Sequence, residues 1–149
     1  QILTRGVRHQ NCKVYGAMPA HEYGRMYTNI DVAIAPLQFN EFNDSKSEIK
    51  LMECGRYGIP LVATNCGAYD DVIKNGEHGY LISKDNPKSE WVRCLSKTIK
   101  DRKHRIEMGQ NLKSIVDEHY DINKIVHQRV QLYHDIIKAK KEFAANVKA

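Results

Sequence analysis

Two short runs without a single charged side chain, VAIAPL at residues 32–37 and IPLVAT at residues 59–64, do most to fix what this chain can become. Each is shorter than an ordinary helix and apolar throughout rather than alternating, which is the pattern of a strand covered on both faces. Between them lies the polar loop QFNEFND, followed by SKSEIKLMECGRYG, a charged segment that reads as a helix. A covered strand, a helix and a second covered strand form a right-handed crossover, so the sheet is expected to be parallel.

The rest of the chain extends that order. CKVYGAMP reads as a strand stopped by Gly16 and Pro19. AHEYGRMYTNI reads as a helix with Tyr23, Met26, Tyr27 and Ile30 in helical spacing, weakened by Gly24. NCGAYDDVIKNGEHG supplies a loop, a short helix and an Asn-Gly turn before YLIS, a fourth strand. Asn86 and Pro87 are an N-cap and first-turn pair for a helix to about Lys100, with Trp91, Leu95 and Ile99 as its apolar line. Residues 102–118 and 122–141 complete the chain as helices, the last carrying Ile122, Ile125, Val126, Val130, Tyr133, Ile136 and Ile137 on one side. The predicted fold class is α/β, a Rossmann-like parallel sheet with flanking helices. It forms one domain over residues 1–149, with the sheet and its helices at about 13–100 and a helical part at about 102–141. That length buries a core without disulfides or metal.

Ligands of parallel sheets bind beyond the carboxyl ends of the strands. Ser45 followed by Glu48 has the S-x-x-E spacing of a capping box, which predicts a helix starting there with the amides of Lys46, Ser47 and Glu48 facing the loop. The helix dipole and the Lys46 charge favour an anion, a phosphate or diphosphate above all. Lys46, Lys50 and Glu53 form one polar line down this helix, flanked by Ile49 and Met52 with Leu51 across from them, which predicts burial around much of its girth.

Several chemistries are excluded. His9, His21, His78, His104, His119, His127 and His134 are scattered and make no metal-ligand motif, and no G-x-G-x-x-G is present for a nicotinamide. The formal net charge of +5 suits an anionic partner, but Lys138, Lys140 and Lys141 have no stacking aromatics beside them, so nucleic acid is not the expected one. Cys12, Cys54, Cys66 and Cys94 lack C-x-x-C spacing and read as structural thiols in a reduced, cytosolic setting. No apolar run approaches the roughly 18 residues of a membrane span. Opening on Gln1 with no signal-peptide pattern, the chain reads as a piece of something longer.

YGAMPAHEYGRMYTNIDVAIAPL, KSEIKLMECGRYGIPLVAT and GAYDDVIKNGEHGYLI, over about residues 14–82, together resemble the carboxyl-terminal, donor-binding domain of GT-B glycosyltransferases of group 1. The resemblance implies transfer of a sugar from a nucleoside diphosphate sugar to a glycan or lipid-linked acceptor, with retention at the anomeric carbon and without metal or other cofactor. It places Tyr15, Gly16 and Ala17, at the end of the first strand, beside the nucleobase. The diphosphate falls to the amino end of the helix, at Lys46, Ser47 and Glu48, and the ribose hydroxyls to Glu53, the second glutamate of the family's E-x7-E pattern, with Ser45 and Lys50 counted among the substrate-binding residues. The place of the first glutamate is taken by Ser45, with Glu41 out of register, and the family's Gly-Phe-Gly gives way to Lys46, Ser47 and Glu48. Lys46 thereby takes the catalytic role, charge stabilisation of the departing diphosphate.

The resemblance further implies an acceptor-binding domain supplied in cis or in trans, so that the isolated chain is inactive. The final helix would reach towards that domain, and its open face would otherwise drive self-association. The terminal lysines would touch anionic lipid at the inner membrane surface. The alternative reading of the same residues is a non-catalytic nucleotide-binding or protein-interaction module.

Overall fold

The computed structural model of the protein describes residue 13 and residues 15–146. The charge-free runs become β1 (Ala33–Ala35) and β2 (Leu61–Thr64), and β3 (Gly79–Ile82) joins them in a parallel sheet of order β1-β2-β3. Ala33 lies opposite Leu61, and Leu61 opposite Gly79. Every residue of β2 and β3 is buried, as strands without alternation require, whereas β1 leaves Ile34 53% exposed. The expected first strand falls partly on Cys12 and Val14, outside the described residues. Lys13 and residues 15–19 are irregular, and none of their amides bonds to the sheet.

The helix expected at residues 20–30 divides at Gly24: α1 (Ala20–Tyr23) tightens into a 3-10 segment, Gly24–Asn29. A Cβ at Gly24 would strike the Tyr57 hydroxyl, so a larger residue there would have to push that ring's tip aside. The loop QFNEFND contains α2 (Glu41–Asp44), which periodicity alone did not reveal. Its cap is Asn40, whose side chain accepts from the Asn43 amide at 2.9 Å, while the Asn43 side chain donates to the Gln38 carbonyl at 2.7 Å.

The next helix, α3 (Ile49–Arg56), corrects the capping-box expectation. Ser45 closes α2 instead of opening α3, its hydroxyl donating to the carbonyls of Glu41 at 2.9 Å and Phe42 at 3.2 Å. Serine back-bonding to a preceding turn competes with capping a following one, and here it wins. Glu48 then takes the N-cap position of α3 without a side-chain cap bond. Nor is α3 buried around its girth: Leu51, Cys54 and Gly55 face inward while Ile49 is exposed.

Three helices follow, α4 (Pro87–Lys100), α5 (Arg102–His119) and α6 (Ile122–Asn146). In α4 the buried line is Cys94 and Thr98, with Trp91 and Leu95 flanking it and Ile99 turned to solvent, because small side chains let the helix approach the sheet closely. The core has two layers. Leu51, Cys54, Leu61, Ala63, Leu112 and Val116 fill the space between β-sheet, α3 and α5, and Val62, Tyr80, Ile82, Cys94 and Met108 fill the opposite side. The apolar face predicted for α6 exists but is uncovered: Ile122, Val130, Tyr133, Ile136 and Ile137 are all exposed, and α6 packs mainly through α5. No described helix is long and apolar enough to cross a membrane.

α5 passes so near the turn before β2 that a Cβ on Gly109 would overlap the Gly58 carbonyl, and Gly58 itself holds φ +67°. Gly109→Ala is expected to lower stability by about 1–3 kcal/mol, the usual cost of overpacking, read as a lower urea midpoint. An unchanged midpoint would show that the turn yields freely.

Candidate functional site

In a parallel β-α-β unit the helix runs against the strands, so α3 starts at the carboxyl ends of β1 and β2. Those ends are tied together: the Leu37 amide donates to Thr64 Oγ1, and the Thr64 hydroxyl donates to the Leu37 carbonyl, both at 2.9 Å. Gly67, at φ +59°, presses the loop after β2 against the turn that precedes α3. A Cβ there would sit 2.8 Å from the Asp44 carbonyl oxygen and 3.1 Å from that of Lys46. The turn is thus held from two sides.

Its donors are largely free. The Lys46 amide bonds to the Asn43 carbonyl at 3.2 Å, but the amides of Ser47, Glu48, Ile49 and Lys50 donate to no group among the described residues. Four adjacent amides at the positive end of a helix suit an anion. The exposed Lys46 ammonium lies 4.8 Å over the Phe42 ring and makes no ion pair among the described residues. The Ser45 hydroxyl is occupied by α2. Glu48 stands near Tyr120, whose phenol is pushed up to about 12, first by burial and then by the Glu48 charge.

One turn further, Lys50 is saturated. Its Nζ donates to Glu53 Oε2 at 2.6 Å, to the Tyr23 hydroxyl at 2.9 Å and to the Tyr27 hydroxyl at 3.0 Å, which uses all three protons of an ammonium. Burial works against its charge, but the bonds to Glu53, Tyr23 and Tyr27 outweigh it and raise its pKa above the ordinary lysine value. The Tyr27 hydroxyl donates to the same Oε2 at 2.7 Å, and its own pKa is raised, chiefly by burial. Tyr27 is immobilised by stacking on Tyr57, centroids 5.5 Å apart and planes at 12°, with Tyr23 edge-on at 5.9 Å. Oε1 of Glu53 accepts from no described group, and the side chain is 27% exposed.

The structure therefore gathers Ser45, Lys46, Ser47, Glu48, Lys50 and Glu53 along α3 and the turn before it, while Tyr15, Gly16 and Ala17 lie in the irregular segment before α1. Tyr15 lines a surface groove with Glu22, Arg25 and Met26, whereas Lys50 meets Tyr23 and Tyr27. A Cβ on Gly16 would meet open space, so no close approach there demands glycine. Tyr23 and Tyr27 are the residues that periodicity missed. Their i, i+4 spacing was legible, but their hydroxyl partner lies in another element.

Elsewhere, Cys54, Cys66 and Cys94 are free and buried. Burial raises all three thiol pKa values, that of Cys54 to about 12, which fits a packing role. Cys12 and His9 lie outside the described residues. No group of three or more His, Cys, Asp or Glu among the described residues could hold a metal.

Residues 1–115 match a family model described as glycosyl transferases group 1. D-inositol 3-phosphate glycosyltransferase of Corynebacterium jeikeium is 30% identical over 111 residues, which cover 74% of this chain and 25% of that protein. The chain thus spans about a quarter of the length of the curated relatives it matches. Among solved structures, sucrose-phosphate synthase from Thermosynechococcus elongatus superposes with a TM-score of 0.72 at 19% identity, over 85% of this chain and 30% of that one. HepE of Anabaena, in complex with UDP, gives a TM-score of 0.60 at 18% identity, over 74% of this chain and 29% of that one.

Proposed function

Because this chain belongs to the group 1 glycosyl transferases, we propose that it is the donor-binding half of a retaining hexosyltransferase, which moves a sugar from a nucleoside diphosphate to a glycan or lipid-linked acceptor. The observation that carries this reading is the start of α3. Four amides without a partner among the described residues and the exposed Lys46 form an anion seat one turn from a carboxylate whose Oε1 accepts from no described group. The diphosphate is seated on the amides of residues 47–50, and Lys46 stabilises the charge that grows on it as the sugar departs. With amides, dipole and ammonium supplying positive charge, the proposed chemistry calls on no metal. Oε1 of Glu53 accepts from the ribose hydroxyls. A nucleoside diphosphate in the structurally similar HepE supports the ligand class.

The uncovered face of α6 is proposed to pack on the acceptor domain, supplied in cis or in trans, and without it on a second copy of the chain. A cytoplasmic site of action, at the inner membrane surface where lipid-linked acceptors lie, fits this reading. A second reading, a non-catalytic nucleotide-binding module, is favoured by one observation: Ser45, at the place of the family's first glutamate, turns its hydroxyl into α2.

Calorimetric titration with UDP, GDP, dTDP and ADP tests the proposal, one nucleotide being expected to bind clearly better than the others. Glu53→Gln should weaken that binding by about 1–3 kcal/mol, the range for a lost charged hydrogen-bond partner. Lys46→Ala should weaken the diphosphate more than the nucleoside and flatten the salt dependence. Equal losses for both ligands would assign Lys46 a structural role, and no binding of any nucleotide would remove the proposal.

A further inference from the structure

Building on the donor-site reading, we infer that Tyr27 and Lys50 are positioning residues that clamp Oε2 of Glu53, so that Oε1 alone meets the sugar of the nucleotide and the site selects ribose over 2′-deoxyribose. An i, i+3 lysine–glutamate pair on a helix surface is ordinarily a loose contact between two mobile side chains. This one is different in kind, because a third and a fourth group from another element enter it. The Tyr27 hydroxyl and the Lys50 ammonium converge on a single carboxylate oxygen at 2.7 Å and 2.6 Å, across 26 residues of sequence in the case of Tyr27.

The terminal torsion of a glutamate is broad when unrestrained, so a free carboxylate would present either oxygen in many orientations. Two donors on Oε2 remove that freedom. The clamp itself is rigid: Tyr27 is 7% exposed and its ring is fixed between Tyr57 and Tyr23. Lys50, with all three protons engaged, serves the carboxylate and has none left for a phosphate. Oε1 keeps its lone pairs for a vicinal diol, and because its orientation is set before the ligand arrives, binding loses less side-chain entropy. A 2′-deoxy ligand offers one hydroxyl fewer to that oxygen.

The test uses UDP, GDP and ADP with their 2′-deoxy counterparts, titrated into the wild-type chain, Tyr27→Phe and Lys50→Met, with thermal unfolding recorded for each. The wild type is expected to prefer the ribonucleotide it binds best by about tenfold, the equivalent of one charge-assisted hydrogen bond. Tyr27→Phe keeps the stacked ring and removes only the hydroxyl, and should shrink the preference to roughly threefold or less, mostly by weakening the ribo form. Lys50→Met should do the same through the other arm of the clamp. Folded variants that keep the full preference overturn the positioning role while leaving the donor site intact, and failure of both variants to fold overturns it in favour of a purely structural network. Wild-type binding without any ribo preference removes Glu53 from the sugar and the inference with it, whereas no nucleotide binding at all overturns the donor reading beneath both.

Discussion

Incubated with its best nucleoside diphosphate sugar and an acceptor, the 149-residue chain alone is expected to bind the donor and transfer no sugar. The expectation follows from the size of the site it carries. All groups placed on the donor lie on α3 and the turn before it, and the chain spans about a quarter of the length of its curated relatives. Transfer requires the acceptor hydroxyl to be held in attack geometry against the anomeric carbon, and such positioning is worth about 7–11 kcal/mol. The electrostatic stabilisation proposed for the leaving diphosphate would survive in the isolated chain, but it cannot replace that term. Chromatography of the reaction mixture decides the matter. Turnover with a defined acceptor at ordinary enzymatic rates would show that the described elements suffice, while slow hydrolysis of the donor to water would agree with half a site.

The second large effect concerns what holds α3 in place. Leu112 of α5 is fully buried against the layer that contains Leu51 and Cys54 of α3, and the two helices approach closely enough that a Cβ on Gly55 would lie 2.5 Å from Val116 Cγ2 and 3.2 Å from Leu112 Cγ. Leu112→Ala should cost about 2–5 kcal/mol, transfer and cavity together, because so tight a seam collapses poorly. The loss should also reach the site, since α3 carries Lys50 and Glu53 on the side away from that seam. Met108→Ala is the matched control, being fully buried in the layer on the other face of the sheet. Urea unfolding of both variants, followed by nucleotide titration well below their transitions, separates the two consequences. Stability should fall in each, and affinity mainly in Leu112→Ala. A destabilisation under about 1 kcal/mol would contradict the packing argument, and equal loss of affinity in both would show that the Leu112 seam against α3 does not specifically support the site.

Much of this protein was determined by its sequence acting locally. The charge-free runs at residues 32–37 and 59–64 both became strands, fully covered in β2 but open on one face at Ile34 of β1, and Asn86-Pro87 started a helix. The ordered strings across residues 14–82 were enough to point to the family, because each motif is a short-range pattern that survives on its own. Tertiary structure decided the rest, wherever two local solutions were close in energy or a partner was distant. Ser45 could cap α3 or close α2, and the Asn40–Asn43 turn beside it settled the choice. Trp91, Leu95 and Ile99 formed the evident apolar line of α4, yet the sheet accepted Cys94 and Thr98 because they allow closer approach. Lys50 and Glu53 read as two points of a polar line on one helix, and only the fold brought Tyr23 and Tyr27 to them from more than 20 residues earlier. Periodicity and spacing report the conformation of a segment, whereas the partner of a buried hydroxyl or the cover of an apolar face depends on which distant segment arrives, and only the assembled fold specifies that.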